Sequence, residues 1–70
     1  MEEIIIKDEF IKLGQALKLA GLAGSGVDAK FMIEDGIVTV NGKVEIRRGR
    51  KVRPGDIIGV EEHQIKVNGL

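Results

Sequence analysis

The sequence contains no cysteine, no tryptophan and no tyrosine, and its 70 residues include one proline and two phenylalanines. Without cysteine there is no disulfide staple and no thiolate metal site, so a domain this small must rely on packing alone. Long hydrophobic runs are absent too. Residues 4–6 form a β-branched run of three isoleucines, far short of the roughly 18 residues of a membrane span. Met1-Glu2-Glu3 is acidic where a signal peptide opens on basic residues, and a soluble cytoplasmic protein is the expectation. Net charge is also missing: 11 basic and 11 acidic side chains cancel, which taken alone argues against a nucleic-acid partner.

What is present is apolar and varied. Hydrophobic residues make up 43% of the chain, enough for one compact domain over residues 1–70, and 70 residues leave little room for a large catalytic cleft. The charge is unevenly spread. Residues 1–42 carry four Lys against seven acids, and residues 54–70 carry Lys66 against Asp56, Glu61 and Glu62. Between them, Lys43, Arg47, Arg48, Arg50, Lys51 and Arg53 face Glu45 alone, and this segment holds every Arg of the protein. Neutrality is therefore a sum over one basic and two acidic stretches.

Periodicity places the elements. Glu2 to Ile6 reads as a strand. Asp8 can cap a helix in which Phe10, Leu13, Leu17 and Ala20 share one face and Lys12, Gln15 and Lys18 the other, with Gly21 as its stop. Ser25 followed by Asp28 resembles a capping box for a second helix that ends near Asp35 and Gly36, its apolar content being Val27, Ala29, Phe31, Met32 and Ile33. Gly14 and Gly26 inside these helices suggest close approach of another backbone. Beyond Gly36 the period becomes two. Asn41-Gly42 marks a hairpin between Ile37–Val40 and Lys43–Ile46. A two-residue loop would put Val38 and Val40 on one face with Lys43 and Glu45, so a three-residue loop pairing Val40 with Val44 is preferred, keeping the apolar set together. Residues 47–51 read as an exposed loop, Val52 returns to the core, and Pro54-Gly55 suit the centre of a type II turn. Ile57–Val60 and Ile65–Val67 are two further strands about a polar turn. The fold class is α+β, with two helices packed on a small, mostly antiparallel sheet of short strands.

Catalysis is not expected. One His and one Ser, the Ser already used as a cap, cannot supply a nucleophile, its base and an orienting group, and His63 reads as a solvated turn residue. The Glu61-Glu62 and Glu34-Asp35 pairs read as surface charge at element ends. Gly21, Gly24 and Gly26 lie between two helices, the wrong context for a phosphate loop. Neither a cofactor nor a metal nor a small-molecule substrate is implied.

The basic segment remains. Cationic runs usually serve only to keep an edge in water. Here the planar, phosphate-matching Arg side chain is concentrated, Gly49 and Gly55 permit close backbone approach, and every acid but Glu45 stands outside the segment. A polyanion is the fitting partner. With Phe10 and Phe31 both assigned to apolar helix faces, no aromatic platform is left for stacking single-stranded bases, so recognition of a folded RNA through backbone and shape fits better.

Lys12-Leu13, Leu17-Lys18, Ser25, Ala29-Lys30, Gly36, Val38-x-Val40-Asn41-Gly42-Lys43 and Lys51-Val52-Arg53-Pro54-Gly55-Asp56 together resemble the S4 RNA-binding domain, also called the α-L motif. The match covers about two-thirds of the chain, and with one added N-terminal strand the length is similar to that of the small free-standing bacterial YaaA-like members. The resemblance implies a module binding structured RNA, ribosomal or transfer RNA, with the two helices and the following loop as its RNA-facing surface. By position it adds Lys12, Lys18, Lys30 and Lys43 to Arg47, Arg48, Arg50, Lys51 and Arg53 as RNA-binding residues. Gly14 and Gly26 depart from the family's common Asp and Arg. The expectation is a non-catalytic, monomeric RNA-binding domain, associated with the ribosome. Its rival is a protein-interaction module docking the Arg loop on an acidic partner. A ubiquitin-like sulfur carrier would need a terminal Gly-Gly, and this sequence reads Asn68-Gly69-Leu70.

Overall fold

The computed structural model describes residues 1–70. In chain order the elements are β1 (Glu2–Ile6), β2 (Ile11–Lys12), α1 (Leu13–Leu19), α2 (Gly26–Glu34), β3 (Val38–Val40), β4 (Lys43–Val44), β5 (Lys51–Val52), β6 (Ile57–Val60) and β7 (His63–Gly69). Five strands form one sheet in the order β1-β7-β6-β3-β4, and β2 and β5 pair separately. Two helices on one face of a mostly antiparallel sheet is the expected architecture. Its one parallel pair, β1 with β7, joins the two ends of the chain.

Alternation within the strands decides which side chains meet the helices. Ile4 stands opposite Val67, Val38 opposite Val60 and Ile58 opposite Ile65, and all six are buried. Leu13, Ala16 and Leu17 of α1 and Ala29 and Ile33 of α2 close over them. Gly59 lies on the open face against Thr39, and a Cβ added there would stand 2.5 Å from Thr39 Oγ1, so only glycine fits without a shift. No helix is long and apolar enough to cross a membrane.

The helix ends are locally encoded. Gly21, at φ +79°, closes α1 with Gly21 N–H donating to the Lys18 carbonyl (3.0 Å) and Leu22 N–H to the Leu17 carbonyl (3.0 Å). Ser25 Oγ accepts the Asp28 N–H (3.2 Å), capping α2 as expected. The start of α1 differs. Asp8 caps nothing; the chain first forms β2 and enters the helix at Leu13, five residues later. Two free N–H groups of its first turn are met from far away, Leu13 donating to the Arg50 carbonyl (2.8 Å) and Gly14 to the Arg48 carbonyl (3.1 Å).

The preferred hairpin register is also overturned. Val40 pairs with Lys43 and Thr39 with Val44, leaving a two-residue turn with Asn41 at φ +53° and Gly42 at φ +85°. That is the type I′ geometry Asn-Gly favours, because its twist matches that of the strands. Val44 and Ile46 consequently face solvent. Glu45 turns inward instead, donating its N–H to the Val38 carbonyl (3.0 Å). The apolar grouping failed as a guide because the inward acid has its own partners.

Two turns then lock to each other. Pro54-Gly55 form the expected turn, with Gly55 at φ +99° and Asp56 N–H donating to the Arg53 carbonyl (2.9 Å). Asp56 takes the Arg53 N–H (2.8 Å) on one carboxylate oxygen and Asn41 Nδ2 (3.0 Å) on the other. Asn41 Oδ1 accepts the Ile57 N–H (2.9 Å). Burial works against the charged Asp56, yet these bonds and the nearby Arg50 and Arg53 hold its carboxyl below the usual range.

Candidate nucleic-acid interface

The segment from Glu45 to Arg50 joins β4 to β5 and carries the densest charge. It is less free than an exposed loop. The carbonyls of Arg48 and Arg50 bind the first turn of α1, and Arg50 N–H donates back to the Arg47 carbonyl (3.2 Å). Gly14 lets the loop lie close: a Cβ there would meet Arg48 Cγ at 3.5 Å and Ala29 Cβ at 3.9 Å. The close approach expected at Gly14 exists, whereas nothing lies near Gly26.

Glu45, only 7% exposed, lies beneath the loop. Its Oε2 accepts the backbone N–H groups of Ile46 (3.0 Å) and Arg47 (3.1 Å) and Arg47 Nε (3.0 Å). Its Oε1 accepts Arg47 Nη2 (3.1 Å) and Arg50 Nη1 (2.8 Å). The hydrogen bonds from Arg47 and Arg50 outweigh burial and bring the Glu45 carboxyl down to about 2, while Glu45 raises Arg47 above the ordinary guanidinium range. Two of the four Arg are thus tethered to one acid.

The cations fall into separate groups. Arg47, Arg50, Lys51 and Arg53, with Gly49, line one open depression of about 390 Å³ that has no acidic or hydrophobic residue in its wall. Arg48 is not among them, its stem lying beside Gly14. Lys12 is the register partner of Lys51 across β2 and β5. Lys12 and Lys18 line a second groove of about 860 Å³ beside α1, floored by Ile5, Ile6, Phe10, Ile11 and Leu19. Lys30 on α2 and Lys43 on β4 join neither concavity. The nine cations therefore do not converge on one spot.

Both phenylalanines need correction. Phe10 precedes α1, and Lys51 Nζ lies 4.8 Å from its ring centroid, a cation–π contact. Phe31 is on α2, yet it points away from Ala29 and Ile33 and is 57% exposed, one turn after the equally exposed Val27. An aromatic ring is available to solvent after all. His63 begins β7 with Nδ1 3.5 Å from Glu2 Oε2, and it is exposed. Glu45 was the site residue that pattern reading missed, its one signal being a lone acid inside a basic run.

The chain is similar to known proteins in sequence and fold. The S4 domain family model matches residues 4–68. The probable ribosome maturation protein RlbA of Bacillus subtilis strain 168 is 45% identical over 58 residues, 83% of this chain and 82% of that protein. The putative RNA-binding protein YbcJ of Escherichia coli K12 is 36% identical over 61 residues, 87% of each. The solution structure of YbcJ from Escherichia coli, described as revealing an αL motif involved in RNA binding, superposes with a TM-score of 0.75 at 33% identity, covering 97% of this chain and 87% of that one. With a family match across nearly its whole length and relatives this similar over most of both chains, the chain belongs to the S4 domain family.

Proposed function

We propose that this chain is a non-catalytic, cytoplasmic RNA-binding domain that recognises structured RNA, ribosomal or transfer RNA, through the Arg-rich loop and neighbouring Lys residues. The observation that carries the reading is the depression walled by Arg47, Arg50, Lys51 and Arg53 on a loop fixed to α1. Oriented guanidinium groups on an ordered frame suit phosphate, whereas a purely solubilising run needs neither. The names of the relatives support the same reading, one being described as RNA-binding and another as a ribosome maturation protein. Lys12 extends the patch beside Lys51, and Lys18, Lys30 and Lys43 act as outlying phosphate contacts.

The test follows from the charge map. Arg47 and Arg50 hold Glu45, so the triple variant Arg48→Gln, Lys51→Gln, Arg53→Gln is the cleaner probe. If about five phosphates are neutralised, log K falls against log salt with a slope of about −4, and the triple variant flattens it by about 2. Affinity for deproteinised ribosomal RNA and for bulk transfer RNA, measured by fluorescence anisotropy across a salt series, checks this. An unchanged slope and affinity would refute the reading.

A further inference from the structure

Four cationic side chains around one hollow repel each other, and something must hold them there. For Arg47 and Arg50 that is Glu45, whose two oxygens take Nε and Nη2 of Arg47 and Nη1 of Arg50. For Lys51 it is the face of Phe10. Arg53 hangs from a backbone N–H pinned by Asp56, whose oxygens are already engaged by that N–H and by Asn41. The bonds to Glu45 leave Arg47 Nη1 and Arg50 Nη2 without a protein partner among these contacts. Gly49 leaves space open beside them, with nothing within 4 Å of where a Cβ would stand.

We propose that this hollow is a seat for one phosphate group of the RNA backbone, and that Glu45 is the positioning residue that assembles it. The inference rests on the RNA-binding reading and adds a specific place and an acidic organiser to it. The acid is needed because the two Arg side chains would otherwise spread apart, and their ordering would then be charged against binding. Arg48, on the other side of the loop, takes a separate contact.

The consequence has an unusual sign. Glu45→Gln makes the protein more positive by one charge, so if Glu45 acts only through bulk charge the variant binds a polyanion more tightly. If it assembles the seat, binding weakens. The experiment uses the full chain, first titrated with pyrophosphate while NMR follows the Gly49 N–H and Arg47 Nε–H signals, then with deproteinised ribosomal RNA by anisotropy at about 0.15 M salt. Wild type is expected to show saturable shifts of both signals, and Glu45→Gln to weaken both ligands about five- to tenfold with the remaining backbone spectrum preserved. A second pair of variants avoids Glu45: Arg53→Gln removes a charge at the seat, and Lys66→Gln removes one from an exposed position on β7. The first should weaken pyrophosphate at least threefold more than the second, on the same reasoning.

Equal or tighter binding by a folded Glu45→Gln, or equal effects of Arg53→Gln and Lys66→Gln, overturns the seat. If either occurs while the Arg48, Lys51, Arg53 triple variant still loses RNA, the RNA-binding reading stands without the seat. If the seat takes pyrophosphate but the triple variant keeps full RNA affinity, the RNA assignment of the seat is overturned together with that reading, leaving a site for free phosphate compounds.

Discussion

Asn41 is the residue whose replacement should report most directly on how the two turns of the site frame are joined. Three contributions meet there: a left-handed backbone at φ +53°, a bond from Asn41 Nδ2 to Asp56 and one from Ile57 N–H to Asn41 Oδ1. Both bonds are exposed, which places each at about 0.5–1 kcal/mol. Asn41→Gly keeps the φ and loses the bonds, so it should destabilise by about 1–2 kcal/mol. Asn41→Ala loses them and adds up to about 1 kcal/mol, because Ala lacks the short polar side chain that lets Asn adopt the left-handed region readily. In a domain of this size each kcal/mol lowers Tm by about 4–8 °C. With no Trp or Tyr for fluorescence, urea and thermal unfolding are followed by far-UV circular dichroism. A double-mutant cycle of Asn41→Gly with Asp56→Ala should return a coupling of about 0.5–1 kcal/mol. Zero coupling would refute the lock between the turns, and equal losses for the Gly and Ala variants would refute the left-handed contribution.

Other outcomes follow from the same geometry. Glu45 and Asp56 both have folded pKa values below their ordinary ones, so the stability they contribute is present above about pH 4.5 and is lost as pH falls toward 2; in Glu45→Gln the Glu45 part of that loss should disappear from an acid titration while the Asp56 part remains. Gly59→Ala should destabilise by about 1–3 kcal/mol through its clash with Thr39 Oγ1, and Thr39→Ala in the same chain should recover most of the loss, as read by Tm. Gly14→Ala places its Cβ at ordinary contact distances from Arg48 and Ala29 and should be neutral or stabilising by about 0.5 kcal/mol; a clear loss would show that the loop needs more room there.

Local chemistry was readable in the sequence where the partner lies within a few residues. The Gly21 and Gly36 stops, the Ser25 cap and the Pro54-Gly55 turn are of this kind, and each forms as its residues suggest. The start of α1 was not readable, because its caps are carbonyls of Arg48 and Arg50 supplied by tertiary packing. Nor was the hairpin register, where the twist preference of Asn41-Gly42 prevailed over the grouping of Val44 and Ile46 with the core. Charge clustering drew attention to the loop whose cations line the depression. It could not divide Arg48 from Arg47 and Arg50, since that division depends on where Glu45 turns. Helical spacing misassigned Phe31 because α2 is only weakly amphipathic, with Val27 and Phe31 on its solvent side.

The parallel pairing of β1 with β7 has a consequence for how the protein folds. Glu2 is the register partner of Ile65 and Ile6 that of Gly69, so β1 finds its mate only across all the other elements of the domain. The helices and the β3–β4 hairpin can take shape from nearby residues before then. The central sheet is incomplete, and Ile4 and Ile6 remain without cover, until the two strands meet. Closing the loop between β1 and β7 is thereby the long-range step on which the finished core waits.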